Sequence, residues 1–199
     1  MSCRLHCHGS LLVVGHNFVQ QLQQHWDGMG DLRGHVVEML GVRGAKAERF
    51  EENLVGVDLT KFCVIYVELG TNDLCTRSCN QVVSDLMSFI AWLAEHAPAA
   101  KIVVGEILYR AKIGGKEWWD MFNEKVDQVN RQLTLQAGPN FRFWKHARCH
   151  GIVKLLDDGI HLNGRGMHQY HGSVRRALLH MVRRLSSVFL LPVCQCLAM

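Results

Sequence analysis

The chain has 199 residues, of which 48% are hydrophobic and 20% charged, with 18 glycines and 3 prolines. This is about one domain's worth of sequence with enough apolar residues for a single sizeable core, and it excludes a disordered or collagen-like chain. Lysine and arginine number 22 against 18 acidic residues, and the resulting formal charge of +4 is too small to argue for a nucleic-acid partner without a clustered basic face.

The first residues, Met1-Ser2-Cys3-Arg4-Leu5-His6-Cys7-His8, place histidines where an export signal needs an apolar stretch. No run approaches the ~18 apolar residues of a membrane span. The expectation is a soluble, intracellular protein, in the cytoplasm, whose eight cysteines are reduced thiols. Their spacing fits that expectation. Cys3 and Cys7 are four apart, as are Cys75 and Cys79, Cys194 and Cys196 are two apart, and none forms the C-x-x-C of a zinc site.

The first predicted element is Leu11-Leu12-Val13-Val14, an apolar run closed by Gly15, as in a strand buried on both faces. A helix follows, with Phe18, Leu22 and Trp26 on one stripe and glutamines between them. Residues 35–40 read as a second strand, residues 45–53 as a short helix, and the β-branched run at 62–67 as a third strand. A helix over about 81–95 carries Val82, Val83, Leu86, Met87, Ile90 and Leu93, and Pro98 follows its end. Residues 101–108 supply a fourth strand. Beyond a loop with Gly114 and Gly115, a helix places Phe122, Val126, Val129 and Leu133 on one side and stops near Gly138-Pro139. Residues 141–144 form a short fifth strand. The last helix begins near Gly164 and aligns Val174, Ala177, Leu178, Met181, Val182 and Leu185, with Arg175, Arg176, Arg183 and Arg184 on a solvated face.

Five strands alternating with helices predict an α/β protein, a three-layer α/β/α sandwich around a parallel sheet. Residues 10–186 would form that domain, after an N-terminal extension at 1–9 and before an apolar tail at 187–199. In such a sheet the ligand site lies beyond the carboxyl ends of the strands. Four segments fall there: Gly15-His16-Asn17, Gly41-Val42-Arg43-Gly44, Gly70-Thr71-Asn72-Asp73, and Asp157-Asp158-Gly159-Ile160-His161-Leu162-Asn163.

The Gly-x-Asn-Asp after a buried strand, with Asp-Gly-x-His-Leu-Asn before the last helix, resembles the SGNH (GDSL-type) hydrolase family. The likeness runs from about Leu11 to Leu185, and Glu106-Ile107-Leu108-Tyr109-Arg110 followed by Asn123 and Asn130 is similar to the family's strand, loop and helix before the last motif. It implies a flavodoxin-like fold with a five-stranded parallel sheet, and hydrolysis of carboxylic, acyl or acetyl esters without a cofactor or metal. By the same resemblance His161 is the general base and Asp158 its orienting acid, with Asp157 ranked behind. The oxyanion hole falls on the Asn72 amide, the Gly44 N–H, with Gly41 as the alternative, and the backbone N–H of Asn17.

One position departs from the family pattern. Where the family has Gly-Asp-Ser, with serine as nucleophile, this chain has Gly15-His16-Asn17. A carboxamide nitrogen has its lone pair delocalised and no proton to lose near neutral pH, so His161 cannot activate it. Ser10 lies at the far end of the strand, a His16 side chain would leave the turn in another direction, and a shifted register breaks the Gly-to-nucleophile spacing. The expectation is a weak or inactive hydrolase whose partner is a small ester or acyl ligand. The alternatives are a non-catalytic module for acyl, carboxylate or acetylated-sugar ligands, or an accessory domain of a mobile-element protein. His161, His168 and His171 rank low as metal ligands, and Trp118, Trp119, Lys112, Lys116 and Arg110 rank low as a stacking surface for sugar or nucleic acid.

Overall fold

The apolar run after Ser10 forms β1 (Ser10–Gly15), and its burial on both faces places it inside the sheet. The computed structural model describes residues 9–24, 32–111, 116–147 and 155–188. The remaining strands are β2 (Val37–Gly41), β3 (Phe62–Glu68), β4 (Lys101–Gly105) and β5 (Arg142–Trp144). All pair in parallel in the order β2-β1-β3-β4-β5, the flavodoxin-like arrangement. Four helices flank them: α1 (Asn17–Gln24), α2 (Cys79–His96), α3 (Lys116–Gln136) and α4 (Gly164–Val188).

Side chains alternate across each strand, so Leu11 and Val13 face one layer while Leu12 and Val14 face the other. Phe18, Val19 and Leu22 of α1 join Tyr170, Val174, Leu178 and Val182 of α4 on the first face. Leu86, Ile90 and Leu93 of α2 join Val126, Val129 and Leu133 of α3 on the second. β2 is the weakest strand in the sequence because it is an edge, half-buried along its length, with Glu38 ion-paired to Lys61 at 2.7 Å. α2 starts two residues before the predicted point because Ser78 and Gln81 form a reciprocal cap.

Two predicted elements are corrected. The helix expected over residues 45–53 does not form, and a 3₁₀ turn at Phe50–Leu54 stands in part of its place. The backbone there is committed elsewhere: the Ala47 N–H donates to the Asp73 carboxyl at 2.9 Å, and the Ala45 carbonyl accepts from Asn72 Nδ2 at 2.9 Å. Those groups are unavailable for helical bonds. The strand expected over 101–108 ends at Gly105. Past it, the Asn130 carboxamide takes both the N–H (3.0 Å) and the carbonyl (2.9 Å) of Ile107, and Asn123 does the same for Arg110 at 3.1 and 3.0 Å. Two α3 asparagines thus replace a sheet ladder and fix the loop after β4. Trp26, Gly114 and Gly115 lie outside the described residues.

Among the described residues, no helix is long and apolar enough to cross a membrane. Cys63, Cys75 and Cys79 are free thiols, so the four-residue pair at 75 and 79 is not bridged.

Candidate active site

The strand order reverses between β1 and β3, and the loops leaving their carboxyl ends meet above that point. Gly15 is required there because a β-carbon would stand 2.4 Å from the Glu68 carbonyl oxygen. The turn after β2 places Gly44 at φ +70°, a conformation that side chains rarely adopt. The loop before α4 is closed by two backbone bonds, Asp157 N–H to the His161 carbonyl at 2.9 Å and Asn163 N–H to the Leu155 carbonyl at 2.8 Å. Within it, Asp158 Oδ1 accepts the N–H groups of Ile160 at 2.9 Å and His161 at 2.7 Å. The local fold therefore fixes both ends of the Asp158–His161 pair before any tertiary contact.

His161 Nδ1 lies 2.6 Å from Asp158 Oδ2, and His161 Nε2 lies 3.0 Å from Asn17 Nδ2. Asn17 Oδ1 accepts the Gly44 N–H at 2.8 Å. These contacts place the protons. A backbone N–H requires the carboxamide oxygen, so the Asn17 nitrogen must face His161 and donate to it. Nε2 then carries the lone pair and Nδ1–H donates to Asp158. Partial burial pushes the Asp158 carboxyl up, but the hydrogen bonds from His161 and Ile160 outweigh it and hold the group well below the usual carboxylate range.

Asn72 is oriented by the same logic. Arg110 Nη2 donates to its Oδ1 at 3.0 Å, and its Nδ2 donates to the Ala45 carbonyl at 2.9 Å. One amide hydrogen remains unassigned and faces no acceptor among the described residues. Gly44 reaches residue 17 with its N–H, whereas Gly41 is packed against α1, where a β-carbon would stand 2.2 Å from the Gln20 nitrogen. Asp157 contributes its N–H to the loop closure, and Asp158 makes the contact with the imidazole.

The Asp158–His161 pair and the Gly44 N–H thus meet at the Asn17 carboxamide, at the sheet's switch point. The sequence profile of the GDSL-like lipase/acylhydrolase family matches residues 10–169. The chain belongs to this family. The comparison with curated proteins gave no match. Among solved structures, a lipase/acylhydrolase from Enterococcus faecalis is 15% identical with a TM-score of 0.64, over 86% of this chain and 96% of that one. A carbohydrate esterase family 3 structure from Talaromyces cellulolyticus is 18% identical with a TM-score of 0.66, over 88% and 99%. An acetyl esterase, solved as a serine-to-alanine mutant with an acetate ion, is 16% identical with a TM-score of 0.62, over 89% and 99%. At these identities the likeness is one of fold.

Several further groups, to which the sequence assigns no role, lie close to this cluster or deeper in the fold. His16 is buried and close to Phe18, with ring centroids 4.8 Å apart. Desolvation pushes it down to about 4, with Glu68 opposing and Arg110 and His161 adding to the fall. Asp73 is buried, and desolvation raises it against the hydrogen bonds from Ala47, its own backbone and Glu48. Deeper still lies a network of Glu68, Tyr66, His146, Ser173 and Trp144. Tyr66 donates to Glu68 Oε2 at 2.9 Å, His146 Nε2 stands 3.2 Å from the Tyr66 oxygen, and His146 Nδ1 stands 2.9 Å from Ser173 Oγ. Trp144 Nε1 donates to the same Oγ at 3.1 Å.

The low-ranked constellations resolve differently. Trp119 is buried against Phe122, and Arg110 points inward to Asn72, so neither belongs to an exposed stacking surface. The side chains of Lys112, Lys116 and Trp118 lie outside the described residues. His168 and His171 lie on α4, and among the described residues no three histidine, cysteine, aspartate or glutamate side chains gather as a metal-ligand set.

Proposed function

We propose that this member of the GDSL-like lipase/acylhydrolase family holds the base and the amide donors of an ester hydrolase but does not turn esters over. The observation that carries the reading is the Asn17 carboxamide, which bridges His161 Nε2 at 3.0 Å and the Gly44 N–H at 2.8 Å. In the family pattern, serine stands at this position and gives its proton to the histidine. Asn17 gives a hydrogen bond from a nitrogen that has no available lone pair, so no covalent intermediate forms. The carboxamide oxygen also occupies the Gly44 donor, which in a working hydrolase would face the ester oxygen.

The other parts of the site support a hydrolase ancestry. The His161–Asp158 contact has the direction a general base needs, with Nε2 toward the reaction position and Nδ1–H on the acid. The loop after β3 supplies the Asn72 amide and the start of α1 the Asn17 N–H, which has no backbone partner among the described residues.

Replacing the serine of a triad elsewhere costs on the order of a millionfold in turnover. The unmodified chain is therefore expected to show no measurable hydrolysis of 4-nitrophenyl acetate or butyrate. Asn17→Ser is expected to raise turnover at least about a thousandfold above the unmodified chain, and a further His161→Ala change to abolish the gain. Rapid turnover by the unmodified chain, or an Asn17→Ser protein that is folded and inert, overturns the reading.

A further inference from the structure

Buried charges in proteins are normally paired, because an isolated ion loses its hydration without compensation. This chain reverses the usual distribution. Arg49 and Arg77, nearer the surface, have carboxylate partners in Glu52, Glu48 and Asp85. Arg110, only 7% exposed, has none among the described residues.

The partners of its guanidinium are all neutral. Nη2 donates to Asn72 Oδ1 at 3.0 Å, Nη1 to Cys75 Sγ at 3.1 Å, and the group lies over the Phe122 ring at 4.9 Å. Nearby carboxyls are engaged elsewhere: Glu68 by Tyr66 and His146, Glu106 by the His146 N–H, Asp127 by Tyr109. A guanidinium has five N–H donors, and the described residues engage two of them. Both of its hydrogen-bond partners reach outward, Cys75 being exposed and Asn72 half-buried.

We infer that Arg110 is an anion subsite, and that the ligand of this site carries a carboxylate or phosphate a short chain away from its acyl carbonyl. The inference rests on the acyl-ligand reading of the site above and narrows it to anionic ligands. Arg110 touches the oxygen of the carboxamide whose nitrogen is an oxyanion donor, so an anion on Arg110 and a carbonyl at Asn72 belong to one small molecule. The planar fork of a guanidinium fits both carboxylate and phosphate, and a charge-assisted bond of this kind is stronger than a neutral one.

The test compares acyl ligands with and without an anionic group. Binding of monomethyl succinate, dimethyl succinate and acetyl phosphate to the unmodified chain is measured by titration calorimetry, with methyl acetate as the neutral partner of acetyl phosphate. The anionic member of at least one pair is expected to bind about tenfold or more tightly than its neutral partner, and the favoured pair distinguishes carboxylate from phosphate. Arg110→Gln is expected to bring the ratio to about one, and Arg110→Lys to keep part of it, because the charge remains without the fork. If Arg110 serves only to position Asn72, its replacement weakens both members of a pair equally and the ratio does not move. An absent preference in the unmodified chain, which needs no variant to fold, overturns the inference, as does a preference that survives Arg110→Gln. Because these measurements need no turnover, a failed Asn17→Ser rescue would count against the hydrolase reading while leaving the anion result standing.

Discussion

Two chains of hydrogen bonds in this molecule link an acid to an imidazole, one at the surface and one in the interior. At the surface, Asp158 holds Nδ1–H of His161, and Nε2 faces Asn17. In the interior, Glu68 and Tyr66 lie at Nε2 of His146, and Nδ1 faces Ser173. The two rings carry their proton on opposite nitrogens. Tyr66 spends its one hydroxyl proton on Glu68, so the contact between His146 Nε2 and the Tyr66 oxygen needs the ring proton on Nε2, which leaves Nδ1 of the neutral ring to accept from Ser173.

The interior array has the hydroxyl that the surface array lacks, and it is the one that cannot catalyse. Ser173 is 1% exposed and His146 fully enclosed, so no ester carbonyl can approach the oxygen. The surface array has the reverse condition. The His161 side chain is 35% exposed, and among the described residues the Asn17 carboxamide, not a hydroxyl, stands at its Nε2. An acid, an imidazole and a hydroxyl in sequence are therefore insufficient for a nucleophilic site: access and oxyanion donors decide whether the same bonds store stability or perform chemistry.

The sharpest way to break the comparison is to remove the acid from the surface array once the hydroxyl is restored. In the Asn17→Ser background, Asp158→Asn is expected to lower kcat on the order of ten-thousandfold, because an asparagine no longer selects the Nδ1–H tautomer. Steady-state kinetics on 4-nitrophenyl acetate reads this. A fall of less than about tenfold would show that His161 is oriented by its loop alone and that Asp158 serves the turn.

His16 connects the two arrays, since it responds electrostatically to Glu68 below and to His161 above. Its sign can be worked out. Unfolded, the ring takes up a proton near 6.5; folded and buried, it does so only near 4. Below pH 6.5 the unfolded chain binds more protons, so stability falls on acidification and is about 2 kcal/mol lower at pH 5 than at pH 7 from this group. His171 and His180, both held low by desolvation, act in the same direction. The decisive measurement is the difference between the unmodified chain and His16→Gln in urea unfolding across this window. Equal slopes for the two proteins would mean that His16 is protonated, or hydrated, in the folded state.

Much of this architecture is legible in the residues. The run from Leu11 to Val14 and the run in β3 have no polar face, which is the pattern of strands covered by helices on both sides. The spacing of Asp158 and His161 was also readable, because the contact between them is local to one loop. What escaped depends on distant partners. Residues 45–47 have helical composition, yet their backbone groups are taken by Asn72 and Asp73. The end of β4 is set by Asn123 and Asn130 on a helix whose pattern gave only its apolar stripe. The Glu68 to Ser173 array joins β3 to α4 across 105 positions, and no spacing within the sequence announces it. Arg110 reads in sequence as part of a basic, aromatic loop, and only its burial beside Asn72 separates it from the surface cations.

The smallest expected effect tests whether the interior array is purely structural. Ser173→Ala removes the acceptor of Trp144 Nε1–H and the donor to His146 Nδ1 without adding volume. The loss is one satisfied oxygen and two orphaned partners in a site closed to water, a cost of about 1–2 kcal/mol. Urea unfolding should show a lower midpoint with an unchanged slope, since the surface exposed on unfolding hardly changes. In the Asn17→Ser background the same change should leave kcat unaltered, because Ser173 touches neither His161 nor the amide donors. A large fall in kcat would mean that the position of His146 governs the loops above it through Glu68 and His16, making the two arrays one mechanical unit. An unchanged kcat with a lowered midpoint separates them: the same chemical sequence of groups then serves stability in the interior and ligand chemistry at the sheet's edge.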